Sequence, residues 1–517
     1  MVVLVMAFGA VVARLADLQI VHAQEWVNLG VAQRTGSQTL PAVRGAIYDR
    51  DGRAMALSVP LSTIYADPHL IARPDKVAAK LAPVLGLPAY SLQKKLSAHN
   101  RFQFLAHTVP DRVAAKVKKL NLAGIGMYDE FKRYVPSGPM ARSVLGQVAD
   151  GQGGIAGLER QYDSVLAGKD GKLEFERAHG GGTIAGGHQQ VIAARPGENL
   201  YLTLDESMQY EAEQALLDQV AAMGAKGGTA IVSRPSTGEI LAMANVAAAP
   251  DGKVGPTADN KAVTSTFEPG SVNKVVTMSA ALQEGVVTPD TITDVPAGVQ
   301  VADHFFTDAE SHGEESWKVP DILATSSNVG TIKIARQLGA TKEDEYLKRF
   351  GLASTTGLGF PGESGGILPA LKDWSGTSIG SIPIGQGIAV TALQMLSAFN
   401  VVANDGQYVA PKLVAATSLH GAKRSTPMSA NHRVLSTLTA REMRAMLTEV
   451  VRSGTGHAAA VPGYDVYGKT GTARIPQPVA HDGNGYMDAN GHYHYDATFV
   501  GGIDGGDLSI IVVLNEP

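Results

Sequence analysis

The chain has 517 residues, of which 44% are hydrophobic and 18% are charged, so it is long enough for two or more packed domains and is not a disordered protein. Its net charge of −5 provides no basic surface for nucleic acid, which favours a neutral or small partner. The absence of cysteine excludes a disulfide framework, thiol catalysis and cysteine-ligated zinc, but it does not locate the protein in the cell.

An uncharged apolar run occupies residues 1–13 and stops at Arg14. A membrane-spanning helix needs about 20 apolar residues, so this run is too short to cross a bilayer. A secretory signal has basic residues ahead of its apolar run, and this chain has none there. The two alternatives are a buried N-terminal helix and the outer end of a truncated membrane anchor. We favour the anchor and assign it residues 1–23.

Residues 24–195 show mixed patterns and are predicted to form one non-catalytic domain. An Asp51-Gly52 turn between two strand-like runs predicts a β-hairpin. Helical periodicity with alternating charge predicts two helices that pack on one side, at residues 75–85 and 111–120. None of these patterns is typical of a catalytic site.

A glycine-rich passage between Gly168 and Gly197 separates this region from the rest of the chain. It contains glycine runs at residues 180–182 and 186–187, which indicate a flexible connection. We therefore place the domain boundary there, and the second domain comprises residues 196–517.

The second domain begins with the pattern of an α+β fold. Residues 199–205 alternate like a strand, and residues 206–223 predict a long helix with Asp205 as its N-cap. Residues 228–243 then predict a strand, a turn and a second strand of an antiparallel sheet.

A hydroxyl nucleophile and an amine base lie three residues apart at Ser271 and Lys274. Pro269 and Gly270 punctuate the chain just before them, and residues 275–282 predict an apolar, buried helix. Residues at i and i+3 lie on one helix face, so the Lys274 amine can reach the Ser271 hydroxyl. The N–H groups of the first helical turn remain free to stabilise an oxyanion, which completes the geometry that acyl transfer needs.

The spacing S-x-x-K is a weak signal by itself. Ser91 and Lys94 show the same spacing in a polar stretch, where a solvated helix face is the better interpretation. Two downstream motifs distinguish the other pair: Ser326-Ser327-Asn328 at a predicted turn between helices, and Lys469-Thr470-Gly471-Thr472 after a predicted strand. Three motifs in this order strongly indicate serine acyl transfer.

These motifs resemble those of the penicillin-binding proteins, and more narrowly the class B monofunctional D,D-transpeptidases that cross-link peptidoglycan. The resemblance covers nearly the whole chain and includes residues 44–52, Gly157-Leu158-Glu159, and Gly385-Gln386-Gly387 with Thr391 and Gln394. The last group, with Pro361-Gly362-Glu363, is most similar to the septal, FtsI-type branch. The resemblance implies an α+β, penicillin-binding/serine β-lactamase-like transpeptidase domain with an antiparallel sheet and helices on both faces. An elongated mixed pedestal domain would precede it.

The resemblance also implies roles for the motif residues. Ser271 is expected to attack the D-Ala-D-Ala carbonyl of a stem peptide, and Ser326 to carry a proton between Lys274 and the leaving amine. Asn328 would hold the donor peptide. A second ammonium at Lys469 would lower the pKa of Lys274, so that Lys274 can act as a neutral base.

The strand motif is expected to bind the substrate. Thr470 and Thr472 would contact the substrate carboxylate, and Gly471 would let a substrate backbone approach the strand closely. The backbone N–H groups of Ser271 and Thr472 would form the oxyanion hole.

The implied reaction needs no metal and no organic cofactor. The expected partners are peptidoglycan stem peptides, β-lactams as inhibitors, a membrane glycan polymerase and other division proteins, and not nucleic acid. The resemblance implies a single-pass protein of the cytoplasmic membrane with its catalytic body on the extracytoplasmic side. Two alternatives stay open: a β-lactamase or β-lactam sensor of the same fold, and a non-catalytic divisome scaffold.

Three other patterns favour structural interpretations. The G-x-G-x-x-G pattern at residues 357–362 contains a proline and follows no clear strand, which argues against a dinucleotide site. Acidic and amide residues at 482–490 resemble a calcium loop, but Tyr486 occupies the third ligand position. His492 and His494 alternate as on a strand, and a metal site would need a third ligand.

Residues 508–514 predict a strongly apolar strand close to the C-terminal Pro517. In the resembling family, the chain usually continues into a helix that covers the sheet. We therefore expect a C-terminal truncation that leaves an apolar sheet face exposed.

Overall fold

The computed structural model describes residues 1–100, 102–149, 153–176, 189–477 and 485–517. These residues form two compact units. The first unit comprises Met1–Gly45, Leu57–Tyr134 and Ser164–Glu198, and the second comprises Ala46–Ala56, Val135–Asp163 and Asn199–Pro517. The glycine runs on which the predicted domain boundary depends lie outside the described residues, so that boundary stays a prediction.

The α-helices are α1 Val2–Ala16, α2 Ala23–Arg34, α3 Pro74–Leu85, α4 Ala89–Leu96, α5 Asp111–Lys119, α6 Arg142–Leu145, α7 Gly157–Gln161, α8 Asp163–Leu166, α9 Glu206–Met223, α10 Lys261–Thr264, α11 Lys274–Gln283, α12 Val319–Ala324, α13 Asn328–Leu338, α14 Ala340–Arg349, α15 Ser378–Ser381, α16 Ala392–Ala403 and α17 Thr437–Arg452.

The strands are β1 Thr35–Leu40, β2 Ile47–Tyr48, β3 Ala54–Ala66, β4 Gln103–Val109, β5 Ile125–Tyr134, β6 Gln147–Ala149, β7 Gly153–Ala156, β8 Gly171–Glu176, β9 Gln189–Ile192, β10 Asn199–Leu202, β11 Gly227–Arg234, β12 Glu239–Ala248, β13 Val254–Pro256, β14 Thr266–Phe267, β15 Ile292–Val295, β16 Val299–Val301, β17 His304–Phe306, β18 Glu315–Lys318, β19 Val390–Thr391, β20 Gln407–Val409, β21 Val414–Leu419, β22 Ala422–Ser425, β23 Asn431–Arg433, β24 Val466–Arg474, β25 Tyr495–Ile503 and β26 Ser509–Asn515.

The N-terminal helix is longer than the sequence pattern predicted. A short π-helical turn continues α1 to Val21, so the apolar helix Val2–Val21 has 20 residues and a mean hydropathy of 1.8. Arg14 does not end it, because its Nη1 atom pairs with Asp17 Oδ2 at 2.6 Å, one turn further along. By length and composition this helix can cross a membrane. The expectation of a run too short to span is therefore wrong.

In the first unit, β3 pairs antiparallel with β4 on one side and with β5 on the other. Ile64 of β3 is fully buried in one core with Leu81 of α3 and Leu92 of α4. The helices predicted at residues 75–85 and 111–120 are confirmed as α3 and α5. Strands β1, β8 and β9 form a separate sheet in this unit.

The predicted hairpin is confirmed where the second unit begins. β2 pairs antiparallel with the start of β3 across the Asp51-Gly52 turn. Asp49 is fully buried, and one of its carboxylate oxygens accepts hydrogen bonds from the backbone N–H groups of Asp51 at 2.9 Å and Arg53 at 2.7 Å. Asp49 therefore stabilises the turn.

A six-stranded antiparallel sheet organises the second unit, in the order β13-β12-β11-β26-β25-β24. Helix α9 packs on one face, where Leu216 contacts the apolar residues of β11 and β12. Helix α16 packs on the other face, and its Asn400 hydrogen-bonds the buried hydroxyls of Ser233 and Ser509. The α+β fold with helices on both faces of an antiparallel sheet is therefore confirmed.

Two further details of this sheet bear on the sequence predictions. Asp205 caps α9 as predicted, because its side chain accepts the N–H groups of Ser207 and Met208. The expected bare apolar face is wrong at the end of β26, where Leu514 is 9% exposed and packs with Leu216 of α9.

Candidate active site

Ser271 lies in a short 3₁₀ turn, Gly270–Asn273, that leads directly into α11. The helix is buried from Lys274 to Leu282, which confirms the apolar helix predicted there, while Ser271 is half-buried. Residues at i and i+3 of a 3₁₀ turn lie above one another, so Ser271 and Lys274 share a face. The hydroxyl is therefore presented at the start of a rigid helix.

Three glycines let neighbouring segments approach this turn closely. Gly270 has a φ of +55°, in the left-handed region, and its N–H donates to Gly385 O at 3.1 Å. A Cβ at Gly385 would lie 2.1 Å from Gly270 O, and a Cβ at Gly471 would lie 2.8 Å from Pro269 O. The glycine of the strand motif therefore makes room for the serine turn.

The motif Ser326-Ser327-Asn328 forms the turn between α12 and α13, as predicted. Ser326 has a φ of +62°, a left-handed conformation that is uncommon for a residue other than glycine. Ser327 caps α13, because its hydroxyl accepts the N–H of Gly330 at 2.9 Å. The turn thus directs Ser326 and Asn328 toward the two lysines of the site.

Lys274 is fully buried, and its amine contacts this turn. Lys274 Nζ donates to the carbonyl oxygen of Ser326, to Asn328 Oδ1 at 2.8 Å and, at 3.3 Å, to Ser326 Oγ. The hydrogen bonds of the described residues do not include one between Lys274 and Ser271. The contact expected from the spacing therefore stays a prediction for the reacting complex, in which catalytic hydrogen bonds tighten.

Lys469 brings the third motif to the same point. It is fully buried on β24, and its Nζ donates to Ser326 Oγ at 2.9 Å and to the carbonyl oxygen of Thr470 at 3.1 Å. Two lysine amines, at positions 274 and 469, thus converge on the single hydroxyl of Ser326. A serine oxygen has two lone pairs, so it can accept from both.

The two amines have perturbed proton affinities. Burial lowers the pKa of Lys274 well below its usual value, the charge of Lys469 lowers it further, and Asp308 opposes the shift. Burial lowers the pKa of Lys469 to about 7. The sequence predicted the effect of Lys469 on Lys274, but the first cause is desolvation, which favours the neutral amine.

Asp308 lies in a loop and stabilises the Ser326-Ser327-Asn328 turn, and no sequence motif marks it. Its carboxylate accepts the hydroxyl of Ser327 at 2.6 Å and the backbone N–H groups of Asn328 at 2.5 Å and Val329 at 2.9 Å. His312 Nε2 contacts the same carboxylate at 2.9 Å, and this bond is the first cause that raises the pKa of His312. A lone acid about 20 residues before a motif has no recognisable pattern, so the sequence analysis missed Asp308.

The substrate-binding candidates lie on β24, which is the last strand of the six-stranded sheet. Thr472 is exposed and Thr470 is half-buried, with its hydroxyl donating to Thr455 Oγ1 at 2.8 Å. An edge strand has backbone groups available to an extended peptide. The position of β24 therefore suits the predicted binding of a stem peptide.

A buried carboxyl group lies behind the serine turn. Thr277 of α11 donates to Glu343 Oε1 at 2.7 Å, and Glu343 on α14 is fully buried. Among the described residues, Glu343 Oε2 has no hydrogen-bond partner. Burial raises the pKa of Glu343 to about 7, so the acid is protonated through the mildly acidic range.

The remaining sequence patterns have structural roles in the described residues. Glu363 accepts the N–H groups of Thr356 and Gly359 and so closes the glycine-rich turn at residues 357–362. The imidazole of His494 lies between two carboxylates, with Nε2 at 3.2 Å from Asp488 Oδ2 and Nδ1 at 2.7 Å from Glu516 Oε2. No metal-binding group occurs among the described residues, and positions 482 and 484 of the calcium-like pattern lie outside them.

A serine at the start of a buried helix, two buried lysines, a Ser-x-Asn turn and a Lys-Thr-Gly strand at the sheet edge define the class of active-site serine acyltransferases that penicillin inhibits. The chain matches a family model described as penicillin binding protein transpeptidase domain over residues 228–517. It also matches a penicillin-binding protein dimerisation domain over residues 39–202.

Known proteins resemble the chain over most of its length. Penicillin-binding protein PbpB of Mycobacterium tuberculosis is 34% identical over 499 residues, covering 89% of this chain and 73% of that protein. Peptidoglycan D,D-transpeptidase FtsI of Escherichia coli K12 is 29% identical over 529 residues, covering 99% and 86%. The crystal structure of penicillin binding protein 3 from M. tuberculosis complexed with aztreonam matches with a TM-score of 0.70 at 29% identity, covering 93% and 91%. The chain belongs to the class B penicillin-binding proteins.

Proposed function

We propose that this protein is a peptidoglycan D,D-transpeptidase that cross-links stem peptides through an acyl-enzyme on Ser271. One observation carries the proposal: the amines of Lys274 and Lys469 meet at the hydroxyl of Ser326, beside a serine turn that packs directly on β24. All three sequence motifs therefore contribute to a single site. A surface that only bound proteins would not need two buried amines, because burying a lysine costs free energy.

In the first half-reaction, Ser271 Oγ attacks the carbonyl carbon of the penultimate D-Ala, and Lys274 takes the serine proton. The Lys274 amine is suited to this role when neutral. Its two N–H bonds then point to the carbonyl oxygen of Ser326 and to Asn328 Oδ1, which leaves the nitrogen lone pair available for the proton. The peptide C–N bond breaks, Ser326 passes the proton to the leaving nitrogen, and D-Ala departs.

The remaining motif residues bind the donor peptide. Lys469 supplies positive charge, Thr470 and Thr472 contact the terminal carboxylate, and Asn328 holds the peptide by its backbone amides. The N–H groups of Ser271 and Thr472 stabilise the oxyanion. The close packing of Gly471 on the serine turn supports this arrangement, because Gly471 and Ser271 are the direct neighbours of Thr472 and Gly270 in the two packed segments.

In the second half-reaction, an amine of a neighbouring stem peptide attacks the acyl-enzyme carbonyl. A new amide bond forms, Ser271 leaves with the proton returned through Lys274, and the two stems are cross-linked. A β-lactam would acylate the same serine and block this step.

We further propose that Val2–Val21 is a single membrane anchor, with the catalytic body on the extracytoplasmic side. Its apolar composition and length support the anchor. In the domain division that we propose, residues 1–23 are the anchor segment, residues 24–195 a pedestal for protein contacts, and residues 196–517 the transpeptidase domain. A membrane glycan polymerase and other division proteins are the proposed partners, in septal wall synthesis.

The proposal is tested by incubating the protein with a penicillin and with a D-Ala-D-Ala stem peptide. We expect one drug mass on the peptide that contains Ser271, and release of D-Ala from the stem peptide. Rapid hydrolysis of the penicillin would favour a β-lactamase, a stable adduct without release of D-Ala would favour a sensor, and no covalent adduct would favour a scaffold. Fluorescent tagging in cells tests the septal role, which enrichment along the lateral wall would contradict.

A further inference from the structure

Glu268 lies three residues before the proposed nucleophile, and the motif roles described above do not include it. Its side chain is 9% exposed, so its carboxylate is almost withdrawn from water. A buried carboxylate is costly unless several donors satisfy it. The hydrogen-bond donors to the Glu268 carboxylate therefore indicate which segments this residue holds together.

Two donors come from segments that are distant in sequence. The hydroxyl of Tyr486 lies 3.0 and 2.9 Å from the two carboxylate oxygens of Glu268, and the backbone N–H of Gly387 donates to Oε1 at 2.9 Å. Burial raises the pKa of Glu268, and both hydrogen bonds oppose this shift. One carboxylate thus joins three segments around Ser271.

The segment at Gly387 also touches the serine turn directly. Gly270 donates to Gly385 O at 3.1 Å, and no side chain fits at Gly385. The bond from Gly387 to Glu268 therefore closes a second link between the same two segments. Together the two links hold the Gly385–Gly387 segment against the serine turn.

Tyr486 belongs to the segment that connects β24 to β25. In its described part, residues 485–494, a β-bridge joins Met487 to Tyr493, and Arg474 stacks over the ring of Tyr493. Arg474 is the last residue of β24, so Tyr486 is tied to the strand that carries Lys469. A hydrogen bond from Tyr486 to Glu268 therefore couples the serine turn to the substrate strand.

We propose that Glu268 is a positioning residue for Ser271, which holds the serine turn in register with the strand of Lys469 through Gly387 and Tyr486. This inference rests on the proposed function. Loss of Glu268 should slow the acylation step, because a shift of the Ser271 hydroxyl by a fraction of an ångström slows attack without removing any group that binds the substrate.

The experiment measures the acylation rate constant and the dissociation constant of the non-covalent complex separately, with a fluorescent penicillin in rapid mixing. Tyr486→Phe removes one donor and keeps the ring, and we expect acylation on the order of tenfold slower with the dissociation constant unchanged. Tyr464→Phe is the matched control, because Tyr464 is 60% exposed in the same unit, and it should leave both constants unchanged.

Substitutions of Glu268 complete the test. Glu268→Ala should slow acylation more than Tyr486→Phe does. The acylation rate constant of Glu268→Gln should lie between those of Glu268→Ala and the parent, because glutamine keeps one acceptor oxygen. The double variant Glu268→Ala/Tyr486→Phe should be no slower than Glu268→Ala, since both changes remove the same hydrogen bond. The melting temperature of each variant shows whether it is folded.

The outcomes separate the two proposals. If the parent protein forms no adduct on Ser271, the proposed function fails. If the parent is acylated and Tyr486→Phe is acylated at the same rate, or if its loss appears in the dissociation constant, the role of Glu268 is refuted while the function stands. Strictly additive effects of the two substitutions would also refute it.

Discussion

The chain carries the spacing S-x-x-K twice, on two helices with opposite surroundings. Ser91 and Lys94 lie on α4, and both are exposed to solvent. Ser271 is half-buried, and Lys274 is fully buried with carbonyl and carboxamide oxygen partners from the turn between α12 and α13. The same two residue types at the same spacing thus lie on an exposed helix face in one place and in a buried, polar environment in the other. Burial and neighbouring charges, rather than spacing, lower the pKa of Lys274 and so favour its neutral form.

Replacing each serine by alanine gives the largest contrast between the two sites. Ser271→Ala should abolish the covalent penicillin adduct, because no other group supplies the attacking oxygen. Ser91→Ala should leave the adduct unchanged. Intact-mass spectrometry of both variants after incubation with a penicillin measures this directly, and an adduct that survives Ser271→Ala would contradict the assignment.

Replacing each lysine by methionine tests whether the buried amine of Lys274 acts as the base. Lys274→Met should slow acylation by about 100-fold or more, the typical effect of losing a general base, while Lys94→Met should have no effect. The measurement is the acylation rate constant with a fluorescent penicillin. Normal acylation by Lys274→Met would show that the buried lysine has a structural role only.

Substitution of Asp308 tests whether the residues around Ser271 and Lys274 affect the acylation rate. Asp308→Asn removes the charge and replaces one of the two acceptor oxygens with an NH2 group. If the remaining oxygen keeps the N–H groups of Asn328 and Val329, the new NH2 group faces the hydroxyl of Ser327, which loses its acceptor, so the turn should shift. We expect acylation on the order of tenfold slower. Asp303→Asn, at an exposed position in the preceding hairpin, is the control. Equal rates in the two variants would exclude a supporting role for Asp308.

The pH dependence tests the effect of burial on Lys274. Only the neutral amine accepts the serine proton, so acylation should rise with pH and level off well below pH 10.5. Lys469→Met removes a charge that opposes protonation of Lys274, so the rise should move to higher pH. Lys253→Met, at a side chain that is 87% exposed, should not move it. An unchanged midpoint in Lys469→Met would show that the two amines are not coupled.

Glu343 extends the comparison from a buried amine to a buried acid. Its pKa is raised from 4.5 to about 7, so between these values the unfolded chain loses a proton that the folded chain keeps. Stability should therefore fall by about 3 kcal/mol as pH rises from 4.5 to 7, and Glu343→Gln should lack this loss. Urea unfolding at pH 5 and pH 8 measures it. Glu345→Gln, at a partly exposed residue of the same helix, should behave like the parent.

Local patterns were sufficient to predict the elements that present the motifs. Apolar periodicity predicted α11, turn-forming residues predicted the connection from α12 to α13, and alternation predicted β24. Each of these signals lies within about ten residues of the feature that it specifies. The cap of α9 by Asp205 was predictable for the same reason.

Contacts between distant segments were not predictable from one sequence. Asp308 acts on backbone N–H groups about 20 residues away, and the hydrogen bond between Glu268 and Tyr486 spans 218 positions. No residue type marks such pairs before the chain is folded. The N-terminal helix was misjudged for a related reason, since Arg14 looks like the end of an apolar run until its pairing with Asp17 is known.

The packing of Gly385 against the serine turn also constrains how this protein can change under drug selection. A Cβ at that position would overlap the backbone of Gly270, and no flexible side chain is there to yield. Any substitution of Gly385 must therefore displace the backbone that presents Ser271, which penalises cross-linking together with drug binding. We expect tolerated resistance substitutions to occur instead at exposed positions outside the three motifs, where a new side chain projects into solvent and the serine turn stays in place.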